Sequence, residues 1–183
     1  MKCTEQLSRD HRAILKALEI LRTTALGWRL KYAGAQEDCA ALLGFLRIFA
    51  DRCHHGKEEK ALFPKLMQAG MAVEGGPLGV MLYEHDRGRE LVRNMAQALD
   101  DAHADDFELY AGRYAQLLED HIAKEDNILF VKAEDILSAE DDEAILRQFD
   151  EIEHEMGEDT HERFHRMLST LAGRYQVVAA RAS

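Results

Sequence analysis

His54-His55-Gly56-Lys57-Glu58-Glu59-Lys60-Ala61-Leu62-Phe63 and His121-Ile122-Ala123-Lys124-Glu125-Asp126-Asn127-Ile128-Leu129-Phe130 are two copies of one pattern. Five of the ten positions are identical (His, Lys, Glu, Leu and Phe) and a sixth is acidic in both. One isolated histidine precedes each copy, His11 the first and His85 the second. The chain therefore reads as two pseudo-equivalent helix pairs, each giving one His and one His-x-x-x-Glu. Residues i and i+4 lie on one face of a helix, about a turn apart, so the His and Glu of a copy can reach the same centre. Two such pairs and two single histidines bring four imidazoles and two carboxylates into a core between helices. Such groups are costly to bury unpaired, and a pair of divalent cations supplies the missing positive charge. Nitrogen and oxygen donors without thiolate suit iron or manganese, and zinc also accepts them. A lone His or a lone His-x-x-x-Glu would carry little weight; the matched repetition carries the reading.

Working outward, apolar residues recur at helical spacing around these motifs. A first helix is expected over about 8–31, with Ile14, Leu18 and Leu21 on its apolar face, closed by Tyr32-Ala33-Gly34-Ala35. A second spans about 37–67, where Pro64 should kink or shorten it. The stretch 68–77, with Gly70, Gly75 and Gly76, is the clearest loop, and Pro77 suits the first turn of a third helix over about 78–102. A fourth follows over about 106–132. Ser138-Ala139-Glu140-Asp141 resembles a capping box, and two shorter helices flank Gly157. The expected fold is all-α: an antiparallel four-helix bundle over about 7–132 with an appended C-terminal helical segment over about 138–180, in a single domain.

Composition agrees. The 183 residues suffice for one domain with a buried core. Only 2 prolines and 12 glycines leave few turn formers for a many-stranded protein. A formal net charge of −11 repels phosphate backbones, which argues against nucleic acid as the main partner. No apolar run reaches membrane-spanning length, and Met1 to Gln6 lacks the apolar core of a signal peptide. Three cysteines with no Cys-x-x-Cys spacing fit a reducing cytoplasm rather than a disulfide framework. No membrane partner is expected.

With these motifs in place, the sequence resembles the hemerythrin-like, HHE cation-binding domains. The family pattern H…HxxxE…H…HxxxE is matched by His11, His54/Glu58, His85 and His121/Glu125. The wording from His54 to Pro64 and the Glu84-His85-Asp86 stretch are similar to bacterial members. The resemblance implies an antiparallel four-helix bundle with a non-haem diiron site, Glu58 and Glu125 bridging two iron ions and the histidines in terminal positions. Oxygen carriers of the family place a further histidine four residues after the one on the third helix; here that position is Arg89. Four ligand histidines rather than five are expected, which argues against reversible oxygen storage. Arg89 either donates to a bound anion or peroxide or is a solvent-facing or ion-paired residue.

Several residues stand aside from this set. His55 and Glu59 form a second His-x-x-x-Glu frame offset by one, but His55 aligns with the apolar Ile122, so the His54 frame is preferred. His161 and His165, an i,i+4 pair, read as a solvated face, with an extra ligand as the alternative. His103 and His154 read as loop or surface residues. Tyr114, seven residues before His121, is a donor or redox-active phenol near the site, or plain core. Cys53 and Met67, Met71, Met81 and Met95 read as packing. The function expected is a binding or sensing module taking O2, NO, peroxide or iron; the alternative is a diiron enzyme with peroxidase- or catalase-like or NO-handling activity. Ferritin-like oxidases differ in using Glu-x-x-His.

Overall fold

The computed structural model describes residues 1–157 and 159–182, with side chains through Tyr175. Helix is the regular structure throughout, and no strand occurs among the described residues. Helix α1 spans Lys2–Arg29, starting earlier than the apolar spacing indicates. Its first amides explain this: Asp142 accepts from the backbone N–H of Lys2 (3.1 Å) and of Cys3 (2.9 Å), capping α1 from elsewhere in the chain. Lys31 (φ 62°) and Gly34 (φ 79°) then reverse the chain in left-handed conformations.

Helix α2 covers residues 35–68, α3 covers Pro77–Asp100 and α4 covers residues 104–136. Helix α5 spans Ala139–Met156 and α6 spans Thr160–Ala182. The capping box at the start of α5 is present: Asp141 N–H donates to the Ser138 hydroxyl, and Ser138 N–H donates to the Asp141 side chain, each at 3.2 Å. Gly157, at φ 91°, ends it.

Pro64 does not shorten α2; the helix continues to Gln68. The turn ahead of the proline is a wide π-turn, Glu58–Leu62, in which Phe63 N–H donates to the Glu58 carbonyl. Pro64 thus lies in the first turn of the α-helical segment Phe63–Gln68, where a missing N–H costs little. The proline is not the cause of the π-turn. The second copy repeats it at Glu125–Leu129, with Phe130 N–H donating to the Glu125 carbonyl, although Val131 stands where Pro64 does.

Apolar side chains form two clusters with the repeat between them. One holds Ile14 to Ala25 of α1, the first half of α2, Leu91 to Ala98 of α3 and Phe107 to Ile122 of α4. The other holds Cys3 and Leu7 of α1, Ala61 to Leu66 of α2, Leu78 and Met81 of α3, and Leu129 to Ala133 of α4. Along the chain, α1 and α3 contribute first to the second cluster and then to the first, whereas α2 and α4 contribute in the reverse order. Helices α1, α2 and α3 cross the gap at their histidines: His11 between Leu7 and Ile14, His54 between Ala50 and Ala61, His85 between Met81 and Leu91. Helices α5 and α6 take part in this core. Ile145 and Phe149 join the second cluster; Phe164, Leu168, Leu171 and Tyr175 join the first.

Candidate metal centre

The gap between the apolar clusters is filled by ionisable groups. His11, His54, Glu58, His85, His121 and Glu125 converge there, none more than 1% exposed. The two glutamates lie at the middle. Glu58 Oε1 is 3.4 Å from His54 Nε2, while its Oε2 is 3.3 Å from His85 Nε2. Glu125 Oε2 is 3.2 Å from His11 Nε2 and 3.3 Å from His121 Nε2. Each carboxylate thus reaches one imidazole from each helix pair. Ligand-type atoms gather in two groups, each within 4.8 Å: His11, His54, Glu58 and Glu125, and His55, Glu58, His85 and His121. Glu58 belongs to both.

A ring of carboxylates holds the outer nitrogens of the imidazoles. Asp126 lies 2.9 Å from His11 Nδ1, Glu59 2.7 Å from His85 Nδ1 and Glu84 2.9 Å from His121 Nδ1. Asp10 is 3.6 Å from His54 Nδ1, and Asp51 3.5 Å from His55 Nδ1. A proton on Nδ1 facing the carboxylate leaves the inner nitrogen as a lone-pair donor, the arrangement that metal-ligating histidines adopt.

The tertiary contacts give every matched position of the repeat a task. The His and Glu face the centre. The acidic residue after the Glu holds the isolated histidine of the other helix pair: Glu59 holds His85, and Asp126 holds His11. The closing Phe stacks on that same ring, Phe63 on His85 and Phe130 on His11, at centroid distances of 5.8 and 5.4 Å. The Lys bonds the acid that precedes the isolated histidine of its own pair, Lys57 with Asp10 and Lys124 with Glu84. Leu62 and Leu129 enter the second apolar cluster.

Charge within the centre is compensated by protons when no cation is present. Burial alone would lower the His11 pKa, but the Asp126 and Glu125 carboxylates outweigh it and raise it to about 9. His121 rises to about 10 against the same burial, driven by Glu125 and Glu84. Burial penalises ionised Glu125, yet His121 and His11 hold it well below the usual carboxylate range. His55 moves the other way: burial and the neighbouring imidazoles His85, His54 and His121 push it well below the usual histidine value.

The donor set fits a metal on a structural test. Buried side-chain polar atoms without a hydrogen-bond partner include His11 Nε2, both nitrogens of His54 and His55, and all four carboxylate oxygens of Glu58 and Glu125. Outside this centre only Thr24 Oγ1 joins them among the described residues. Orphaned buried polar atoms are rare because each costs about 1–3 kcal/mol, more when charged. Their concentration at one point, on nitrogen and oxygen donors, is what a cation relieves.

His55 is the residue that sequence reasoning passed over. It is 2% exposed, stacks on His85 at 3.9 Å between centroids, and completes the second group of donors. Five imidazoles converge, one more than the four ligand histidines expected. The argument against oxygen storage loses its premise, since an extra imidazole comes from α2 instead of α3. The π-helical stretch Leu46–His55 turns by a smaller angle per residue, so adjacent histidines both face inward. Asp51, four residues before His55, was the available signal, because it stands opposite the ring nitrogen.

Of the residues set aside, Glu59 holds His85 from outside while Glu58 points inward. Arg89 is ion-paired, with Asp51 at 2.8 Å and Glu59 at 2.6 Å. Tyr114 is buried in the first apolar cluster. His165, His103 and His154 are exposed. Cys53, Glu153 and half-buried His161 form a third grouping. Glu153 is already engaged by Lys57 Nζ at 2.5 Å, and that buried ammonium disfavours a second cation. Burial pushes the Cys53 thiol up to about 12.

Comparison with known proteins points to the same chemistry. Uncharacterized proteins of Mycobacterium bovis and of two strains of Mycobacterium tuberculosis are each 30% identical to the chain over 159 residues. These matches cover 82% of this chain, which spans only 60% of the length of each relative. The hemerythrin HHE cation-binding domain model matches residues 3–133, which include all seven converging residues. The chain belongs to the hemerythrin HHE cation-binding family.

Proposed function

We propose that this chain holds a carboxylate-bridged pair of iron ions within an antiparallel four-helix bundle and there binds or senses a small ligand, O2, NO or peroxide. The observation that carries the reading is the set of orphaned nitrogens and oxygens shared between two groups of donors around Glu58. His11 and His54 would serve one ion and His55, His85 and His121 the other, with Glu58 and Glu125 between them. Manganese or zinc would suit the same donors. When bound, the iron pair supplies redox-active positions for a small molecule.

The chain's own residues prepare that site. Asp126, Glu59 and Glu84 fix the Nδ1 side of three imidazoles, so their inner nitrogens need no reorganisation. Phe63 and Phe130 fix ring planes, and the two apolar clusters shield the layer from bulk water. The ligand is a small molecule and not nucleic acid, in keeping with a net charge of −11. Three buried free cysteines support a reducing, cytoplasmic setting. Among the described residues no helix is long and apolar enough to cross a membrane.

Metal analysis after anaerobic loading with Fe(II) tests the reading. About two iron ions per chain are expected, as six or more nitrogen and oxygen donors imply. A stoichiometry below one would overturn it.

A further inference from the structure

A cleft of about 210 Å³ between α2, α3 and α4 reaches the ligand cluster from the surface. Its inner lining includes His55 and Tyr114, which are 2% and 1% exposed. Both ring nitrogens of His55 lack a hydrogen-bond partner, and Tyr114 lines the cleft beside it. Gly88 and Val92 line the passage. At about 30 Å³ per water, there is room for a small polyatomic ion and a few waters.

The charge of this lining contrasts with that of the chain. Arg47, Arg89 and Arg93 contribute three guanidiniums against one carboxylate, Asp51, on a protein whose net charge is −11. Arg47 and Arg93 are exposed and have no ion-pair partner among the described residues. Arg89 is held in place by Asp51, Glu59 and Asp86, so the unpaired positive charge of the lining is that of Arg47 and Arg93. Glu59 Oε1 also bonds His85 Nδ1, so an anion beside Arg89 lies one carboxylate away from a ligand imidazole. A concave, low-dielectric cleft with excess positive charge concentrates anions and speeds their arrival.

We propose that this cleft is an anion-selective vestibule. A small monovalent anion of azide size, such as nitrite or hydroperoxide, is drawn in by Arg47 and Arg93. It is then received by Arg89 and the Tyr114 hydroxyl on the His55 side of the centre. This inference rests on the metal-binding reading and deepens it by naming the charge and size of the ligand.

Azide is the probe. Its association with the iron-loaded protein is followed by stopped-flow absorbance over a range of ionic strength, with iron content measured on each sample. Arg47→Gln/Arg93→Gln should slow association about tenfold and flatten its salt dependence, as loss of steering does. Iron content should not change. Tyr114→Phe should speed dissociation about two- to tenfold, the worth of one hydrogen bond. Unchanged rates in variants with full iron would overturn the vestibule while leaving the metal centre standing. An unmutated protein that takes up no iron would instead overturn the metal reading. The vestibule is then judged on the metal-free protein by NMR of the arginine Nε–H groups. A saturable azide-induced shift at Arg89, absent with neutral acetonitrile, supports it, and no shift overturns it.

Discussion

Lys57 and Lys124 occupy the same place in the repeat, yet their replacement should differ severalfold in cost. Lys57 is fully buried beneath α5, with Nζ 2.9 Å from Asp10, 2.5 Å from Glu153 and 5.6 Å from the centre of the Phe149 ring. Lys124 bonds Glu84, but its side chain is 35% exposed and, among the described residues, no salt bridge ties it to α5. Lys57→Met keeps the volume and removes the ammonium. Glu153 is 30% exposed and can rehydrate; Asp10 is 7% exposed and cannot do so freely. Breaking a buried pair by removing one partner costs about 3–5 kcal/mol. A half-exposed pair such as Lys124–Glu84 is worth about 1 kcal/mol or less. At about 2–4 °C per kcal/mol for a chain of this size, Lys57→Met should lower Tm by roughly 6–20 °C and Lys124→Met by less than about 4 °C. Urea and thermal unfolding of metal-free protein would measure both without interference from metal affinity. Adding Asp10→Asn to Lys57→Met should restore part of the loss, because the stranded charge is gone. Similar, small costs for the two lysines would refute the premise that cover by α5 makes the first ion pair a buried one.

Metal removal should invert the pH dependence of stability. In metal-free protein the raised pKa values of His11 (about 9) and His121 (about 10) stabilise the fold fully below about pH 6.5, and this is lost as pH rises to about 10. Loaded protein should gain stability over the same range, since metal displaces those protons; parallel unfolding curves from pH 7 to 10 would contradict this. Glu58→Ala should abolish most metal uptake, whereas Glu59→Ala should weaken affinity about 10- to 100-fold by freeing His85 and Arg89, as read by competition with a chelator. His55→Ala should weaken or empty one of two metal positions, while His103→Ala, at an exposed histidine, should leave the stoichiometry unchanged. Phe164→Ala should destabilise by about 3–5 kcal/mol in chemical denaturation, the cost of a core aromatic, because α6 is part of the first apolar cluster.

Helical spacing is a local property, so it can be read along the chain. Ile14, Leu18 and Leu21 mark the buried face of α1 from their intervals alone, and Ser138 and Asp141 announce the start of α5. The matched His-x-x-x-Glu segments likewise declare that His54, Glu58, His121 and Glu125 share a purpose, and that His11 and His85 stand in equivalent places. The preference for Glu58 over Glu59 also came from alignment of the copies; Glu58 is the one that points inward.

What lies across from what is not a local property. That Glu59 holds His85 and Asp126 holds His11 depends on which helices are neighbours, and spacing within one helix carries no such information. His55 escaped notice because an ideal α-helix would turn it away from His54, whereas the π-helical backbone before it brings both inward. Two lysines alike in sequence differ in burial, and among the described residues a salt bridge ties only Lys57 to α5, distant along the chain. The same holds for Arg89: its pairing with Asp86 on α3 is local, but its partners Asp51 and Glu59 come from α2. Residue types and their intervals thus specify the helices and the donors. Packing between helices decides which donors meet, which charges are sealed from water, and on which side the centre opens.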